Sequence, residues 1–266
     1  MGHTTTRIGL GLGLLGLVSS GYALEPSDVG IKEASGYSLS LGLEYESGDY
    51  GTPDTTELWS VPVGIHYVKG DISAGVSTSY MSASSTGAIT TSSMGGMSRS
   101  NTSVSSASGI GDINMYASYQ LPEAKDATIS YHATARLKLG TADADKGLGT
   151  GENDYALEGG LLTLYKEVVV FAVLGYQVSG DSATINYNNV WYGSGGATYP
   201  MGSGRDVGAM LSLSQAVTPG FDAPADVTLF LNQEIDKKRD AYFYLLFGLS
   251  DGSPDFGVGA NVTIKL

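Results

Sequence analysis

The last eleven residues, Phe256-Gly-Val-Gly-Ala-Asn-Val-Thr-Ile-Lys-Leu266, constrain this chain most. Every even position from Phe256 through Val258, Ala260, Val262 and Ile264 to Leu266 is apolar, and Gly, Asn, Thr and Lys stand between them. Period two means a β-strand with one oily and one polar face. Strands of soluble proteins run nearer ~5–6 residues. About 9–11 tilted residues are what a strand needs to cross the hydrocarbon core of a bilayer. This pattern predicts the closing strand of a membrane β-barrel.

The same alternation recurs along the chain. Strands are expected at Gly36–Ser47, Thr56–Val68, Asp71–Ser82, Gly109–Leu121, Ala127–Leu139, Asp154–Tyr165, Val168–Ser179, Asn189–Met201, Arg205–Ala216, Asp226–Asp236, Ala241–Ser250 and Phe256–Leu266. Without Asn189–Met201 the number is odd, whereas single-chain bacterial barrels use even numbers with both termini on one side. Counting that segment gives twelve strands and sorts the connections. Short reversals near 69–70, 122–126, 166–167, 200–204 and 237–240 fall at one end. Every long loop falls at the other, including the Ser/Thr-rich 83–108 and the Gly/Asp-rich 140–153. Aromatic residues at Tyr37/Tyr45, Trp59/Tyr67, Tyr155/Tyr165 and Trp191/Tyr199 bracket the apolar stretches. At ~3.3 Å per tilted residue they mark a band of roughly 20–25 Å, the height of a barrel's apolar belt. The fold expected is all-β, a transmembrane antiparallel up-and-down barrel over residues 36–266.

What precedes the barrel reads differently. Arg7 is followed by an apolar run from Ile8 to Val18 and by Gly21-Tyr22-Ala23, the layout of a cleaved secretory signal peptide over residues 1–23. Residues 24–35 are expected to form a short polar lead-in on the periplasmic side. Removing the signal takes away Arg7 and no acid, so 13 basic residues face 27 acidic ones. That balance argues against nucleic acid, whose partners carry basic patches. The chain has no cysteine, so an exported protein here does without disulfides. The partners expected are outer-membrane lipid, a small-molecule solute and the barrel assembly machinery, in the bacterial outer membrane, with no cofactor.

Alternation sends the polar residues inward. A charge facing lipid at mid-depth costs ~2–4 kcal/mol, which puts Glu44, Glu46, His66, Asp112, Asn114, Gln120, His132, Arg136, Lys138, Glu158, Asn232, Glu234 and Asp236 in the interior. Pairing around loop 140–153 brings Arg136 and Lys138 within cross-strand reach of Asp154 and Glu158. Arg136, Lys138, Glu158, His132, Asp112 and Glu234 are the residues expected at a constriction that selects solutes, with a bracing network of ion pairs as the plain alternative. Met81, Leu162, Leu164, Phe171, Met210 and Phe230 share that face and make the lumen part oily.

Three segments carry a resemblance. Ser108-Gly-Ile-Gly-Asp112, the run from Leu139-Gly-Thr-Ala-Asp143-Ala-Asp145-Lys146 through Gly147, Gly149, Gly151 and Glu152 to Asp154-Tyr155, and Gly248 to Gly259 resemble the outer-membrane "MetA-pathway of phenol degradation" transporter family. The resemblance runs from about Ser108 to the end. It implies an outer-membrane barrel that passes small, often aromatic or hydrophobic, compounds. The terminal Leu266 and the long loop 83–108 depart from the family pattern.

Other readings bear on the same residues. Asp143, Asp145, Glu152 and Asp154 are hard oxygen ligands of the kind calcium takes, but the spacing misses that of a calcium hand, and no metal site is assigned. A hydrolase would need a serine held by an oriented histidine. Past the signal only His66 and His132 remain, with Ser130 beside His132, and no catalytic residue is assigned. A structural or adhesive barrel would act through loop 83–108. The expectation is a passive, non-enzymatic channel.

Overall fold

Alternating strands joined by short turns pair with their neighbours in sequence, and a bilayer tolerates such a sheet only when it closes and leaves no edge. The structure, a computed structural model, describes residues 35–85, 90–93, 96–99, 105–122, 127–183 and 185–266. The expected signal peptide and nearly all of the lead-in lie outside the described residues.

Among the described residues there are fifteen strands: β1 (Gly36–Gly48), β2 (Thr56–Lys69), β3 (Ile72–Ser85), β4 (Thr90–Ser93), β5 (Gly96–Arg99), β6 (Ser106–Ile110), β7 (Ile113–Gln120), β8 (Ile129–Leu139), β9 (Asp154–Tyr165), β10 (Val168–Val178), β11 (Val190–Gly202), β12 (Arg205–Ser214), β13 (Ala225–Asp236), β14 (Arg239–Gly248) and β15 (Phe256–Lys265). β4 and β5 pair only with each other. β6 and β7 are two lengths of one wall strand, so the wall has twelve members, all antiparallel. β15 closes on β1 from Ser38↔Lys265 to Ser47↔Phe256. The Leu266 amide donates to the Tyr37 carbonyl at 2.9 Å, which seals the seam.

The outer surface is the oily one. Leu41, Leu43, Leu157, Leu174 and Leu213 all lie more than half exposed. A water-facing surface does not carry such a patch; a lipid-facing one does. Aromatic rings from neighbouring strands meet at both ends of the apolar band: Tyr37 with Tyr67 and Tyr45 with Trp59, their centroids 4.7 and 4.8 Å apart, and Tyr176 with Trp191 at 4.9 Å.

Two expectations need correction. Part of the stretch 83–108 is strand: β3 continues to Ser85, and Ser82, Ala83 and Ser84 pair with Ser108, Ala107 and Ser106 of β6. The oily face that betrays a membrane strand is unnecessary where the wall rises above the lipid, so small polar residues hid it. The strand expected over Gly109–Leu121 is also broken, by Gly111-Asp112. Tyr80 pairs with Ile110 while Ser77 pairs with Asn114, leaving one extra residue on the β6–β7 side. This bulge reverses which positions face out: Ile110 is exposed before it and Met115 after it.

Candidate functional site in the barrel interior

β8 supplies two cations to the interior, Arg136 and Lys138, on the same face because they are two residues apart. Their surroundings differ. Lys138 stands near the long-loop end, its side chain 1 % exposed. Its Nζ ion-pairs with Asp154 Oδ2 at 2.7 Å and with Asp112 Oδ2 at 3.5 Å, and donates to Thr150 Oγ1 at 3.1 Å. Asp112 Oδ1 accepts from the Ala142 amide at 2.9 Å, and Asp154 Oδ1 from the Gly180 amide at 3.0 Å. Lys138 is thus the hub of a clasp joining β7, β8, β9 and the two loops that follow β8 and β10.

The clasp pulls loop 140–153 into the barrel. Ala142 and Leu148 are buried against Leu58 and Ala83, with Met81 and Ala107 packed beside them. A short 3-10 turn, Ala144–Lys146, is capped by Asp143, whose Oδ1 accepts from the Lys146 amide at 3.3 Å, and it ends at Gly147 in the left-handed region at φ 73°. The loop is therefore no wholly solvated turn: one side is core and the other faces water. Asp143 and Lys146 are on the wet side, paired at 3.0 Å with both side chains largely exposed. Lys146 holds the Asp143 carboxyl below the usual range by that hydrogen bond. The loop's acids do not converge, since Asp154 is bound beneath Lys138 while Asp143 faces out. Among the described residues no group of three or more His, Cys, Asp or Glu side chains could hold a metal ion. Elsewhere on this rim the Asp255 carboxyl is pushed up, first by its partial burial and then by Asp49 and Asp251.

Arg136 belongs to a second arrangement, one inward position further from the loops than Lys138. Its Nε donates to Glu158 Oε1 at 2.7 Å, and the Tyr192 hydroxyl donates to the same oxygen at 2.6 Å. The guanidinium carbon lies 5.8 Å from the centre of the Tyr116 ring, within reach of a cation–π contact. Tyr116 Oη and His66 Nδ1 are 3.2 Å apart, and His66 Nε2 and Ser40 Oγ are also 3.2 Å apart. A polar belt thus runs from Ser40 on β1 through His66, Tyr116, Arg136 and Glu158 to Tyr192 on β11. β10 and β12–β14 present Phe171, Met210, Phe230, Tyr242 and Tyr244, all buried, with the Phe230 and Tyr242 rings stacked at 5.8 Å, alongside the buried Asp206, Asp226, Asn232 and Asp240.

Of the six residues expected at the narrow part, the interior holds Arg136, Glu158 and His132 together in the belt region and Lys138 with Asp112 in the clasp. Glu234 is exposed near the short-turn end of β13, beside Gly204, and Asp236 pairs with Arg239 in the adjoining turn. Alternation gives a side chain's face and not its depth, so it could not separate a rim residue from a mid-barrel one. Leu164, at the end of β9, is likewise 47 % exposed. Tyr116 and Tyr192 complete the belt from inward positions of the alternation, where a tyrosine's mixed apolar and polar character gives no signal of its own. A Ser–His contact exists after all, at Ser40 and His66, but the other ring nitrogen faces a tyrosine hydroxyl. A carboxylate at that place is what would stabilise an imidazolium.

A scan of the sequence against family models gives no match, and a search among curated proteins gives none either. Solved structures do match. The COG4313 outer membrane channel from Pseudomonas putida F1 aligns with a TM-score of 0.70 at 13% identity, over 91% of this chain and 100% of that one. The NanC porin aligns at 0.53 and 12% identity over 86% and 100%. The translocator domain of the autotransporter NalP from Neisseria meningitidis aligns at 0.51 and 12% identity over 88% and 90%. At these identities the likeness is one of fold: this chain has the architecture of outer-membrane barrels, which serves channels, porins and translocators alike.

Proposed function

We propose that this chain is a passive channel of the bacterial outer membrane for small molecules. The observation that carries this reading is the contrast between the two faces of one closed sheet. Outside it is leucine and aromatic; inside, Arg136, Glu158, His66, Tyr116 and Tyr192 form a polar belt that crosses the wall from strand to strand. Placing paired charges at mid-depth of a membrane wall is costly unless they face water or one another. A belt of this kind, with Arg136 and Glu158 at its centre, is the narrow part. The inward loop 140–153 trims the entrance on the long-loop side, which faces the outside of the cell.

The solute class follows from the resemblance to the "MetA-pathway of phenol degradation" family together with the two-sided interior. Charged and hydroxyl groups on β7–β9 share the interior with Phe171, Met210, Phe230 and Tyr244. That suits small molecules with an apolar, often aromatic, body. The test is single-channel conductance of refolded residues 24–266 in a planar bilayer, followed by liposome swelling with small aromatic alcohols against sugars of similar mass. Discrete current steps and faster swelling with the aromatic solutes are expected. A barrel that is heat-modifiable, and hence folded, but electrically silent would overturn the channel reading.

A further inference from the structure

Glycine in a strand interior weakens the strand and often marks a place where something must come close. Six inward-facing glycines of this barrel share one arrangement. Gly75, Gly160, Gly175, Gly196, Gly208 and Gly259 each stand directly opposite an interior ring on the neighbouring strand: Tyr116, His132, Tyr192, Phe171, Phe230 and Tyr244 respectively. In each pair, the space a Cβ would take on the glycine is already filled by atoms of that ring, closer than real Cβ atoms come to anything. The rings therefore lie down across the neighbouring strand and do not stand up into the lumen.

Polar partners lie on the far side of three of these glycines. Gly75 also pairs with His66, and the His66–Tyr116 contact passes over it. Gly175 also pairs with Glu158, and the Tyr192–Glu158 hydrogen bond passes over it. Gly259 has Glu44 on its far side. Gly75 and Gly175 are gaps in the side-chain layer through which a ring reaches a group two strands away. A twelve-stranded wall lies between ~8 strands, which side chains fill, and ~16, which leave an open channel. In such a barrel the posture of the rings decides how much bore remains.

We infer that these six glycines are seats that keep the interior rings folded against the wall, and that they thereby set the width of the lumen. The inference rests on the channel reading for its functional half. Its structural half stands apart: a glycine under a ring face has its Hα protons shifted upfield by the ring current.

The sequence supplies its own control, because Gly159 and Gly160 are neighbours facing opposite ways. A Cβ on Gly159 would meet open space, whereas one on Gly160 would meet His132. NMR of glycine-labelled, refolded barrel should show upfield Hα signals for Gly175 and Gly259 that return to ordinary values in Tyr192→Ser and Tyr244→Ser. Single-channel conductance should fall by about twofold or more in Gly160→Ala and Gly259→Ala and hold in Gly159→Ala. Adding Tyr244→Ser to Gly259→Ala should restore it. Ordinary glycine shifts in the parent would overturn the seats, whether or not any alanine variant folds. Upfield shifts with unaltered conductance in folded Gly160→Ala and Gly259→Ala would overturn their control of the bore. A silent parent with upfield shifts would remove the channel reading and the bore with it, leaving the seats as wall structure.

Discussion

Arg136 and Lys138 are two residues apart on one strand, point the same way and each bind a carboxylate of β9, yet they serve different parts of the molecule. Lys138 is covered by the loop it holds, and every group around it is a carboxylate, a hydroxyl or a backbone amide of that clasp. Arg136 is partly open, at 11 % side-chain exposure, and its partner Glu158 is shared with a tyrosine two strands away. One pair of strands thus carries a structural ion pair at the mouth and a lumen-lining one about a turn of the alternation deeper. What separates them is coverage: a charge enclosed by its own loop anchors, and a charge left facing the bore is available to a passing solute.

Replacing each member in turn separates the two. The largest effect is expected from Lys138→Met, which leaves Asp112 and Asp154 buried without their cation. Breaking a buried pair from one side costs ~3–5 kcal/mol, so the urea midpoint of the folded barrel should drop sharply while conductance rises as loop 140–153 comes away. An unchanged midpoint would mean that the clasp holds nothing. Arg136→Gln should cost less, about 2 kcal/mol, because Tyr192 still donates to Glu158 and solvent reaches the site. Its distinctive effect is on ions: the reversal potential in a salt gradient should move toward cation preference, a shift that Lys138→Met does not share if the comparison holds. Tyr192→Phe removes one hydrogen bond from Glu158 and is expected to cost about 1 kcal/mol, read from the same urea titration. Smallest is Asp143→Asn, on the wet side of the loop. Exposed ion pairs contribute little, and here both midpoint and conductance should match the parent within error. A clear loss would show that the outer half of the loop also matters.

Most of this architecture is legible in the sequence because a bilayer enforces it. A lipid-facing strand must alternate over its whole span, so Val190–Gly202 could be recognised from Trp191 and Tyr199 even though Gly193, Gly195 and Gly196 lie between them. Legibility ends where lipid ends. The upper parts of β3 and β6 run through Ser-rich sequence whose outward face is serine and whose inward face carries only small residues such as Ala83 and Ala107, a weak alternation that does not mark a strand. The site follows the same rule. That Arg136, Lys138 and Glu158 point inward follows from parity, but which carboxylate each one meets depends on depth and on a loop folding back, and neither is periodic. The pairing of glycines with rings needed the registers of neighbouring strands, which a single strand's pattern does not contain.

The bulge at Gly111-Asp112 also sets the phase of the wall on either side of it. Along β7 odd-numbered residues face the lipid, and along β6 even-numbered ones do. Gly111 and Asp112 are thus where the chain changes phase, as a fringe pattern does when one path is lengthened. Removing one residue there would put the two lengths back in step. Ile110 would then turn toward the lumen and Ala107 away from the Leu58–Leu148 cluster, or else Asp112 would lose its place beside Lys138. The clasp at the mouth depends, in this sense, on an odd number.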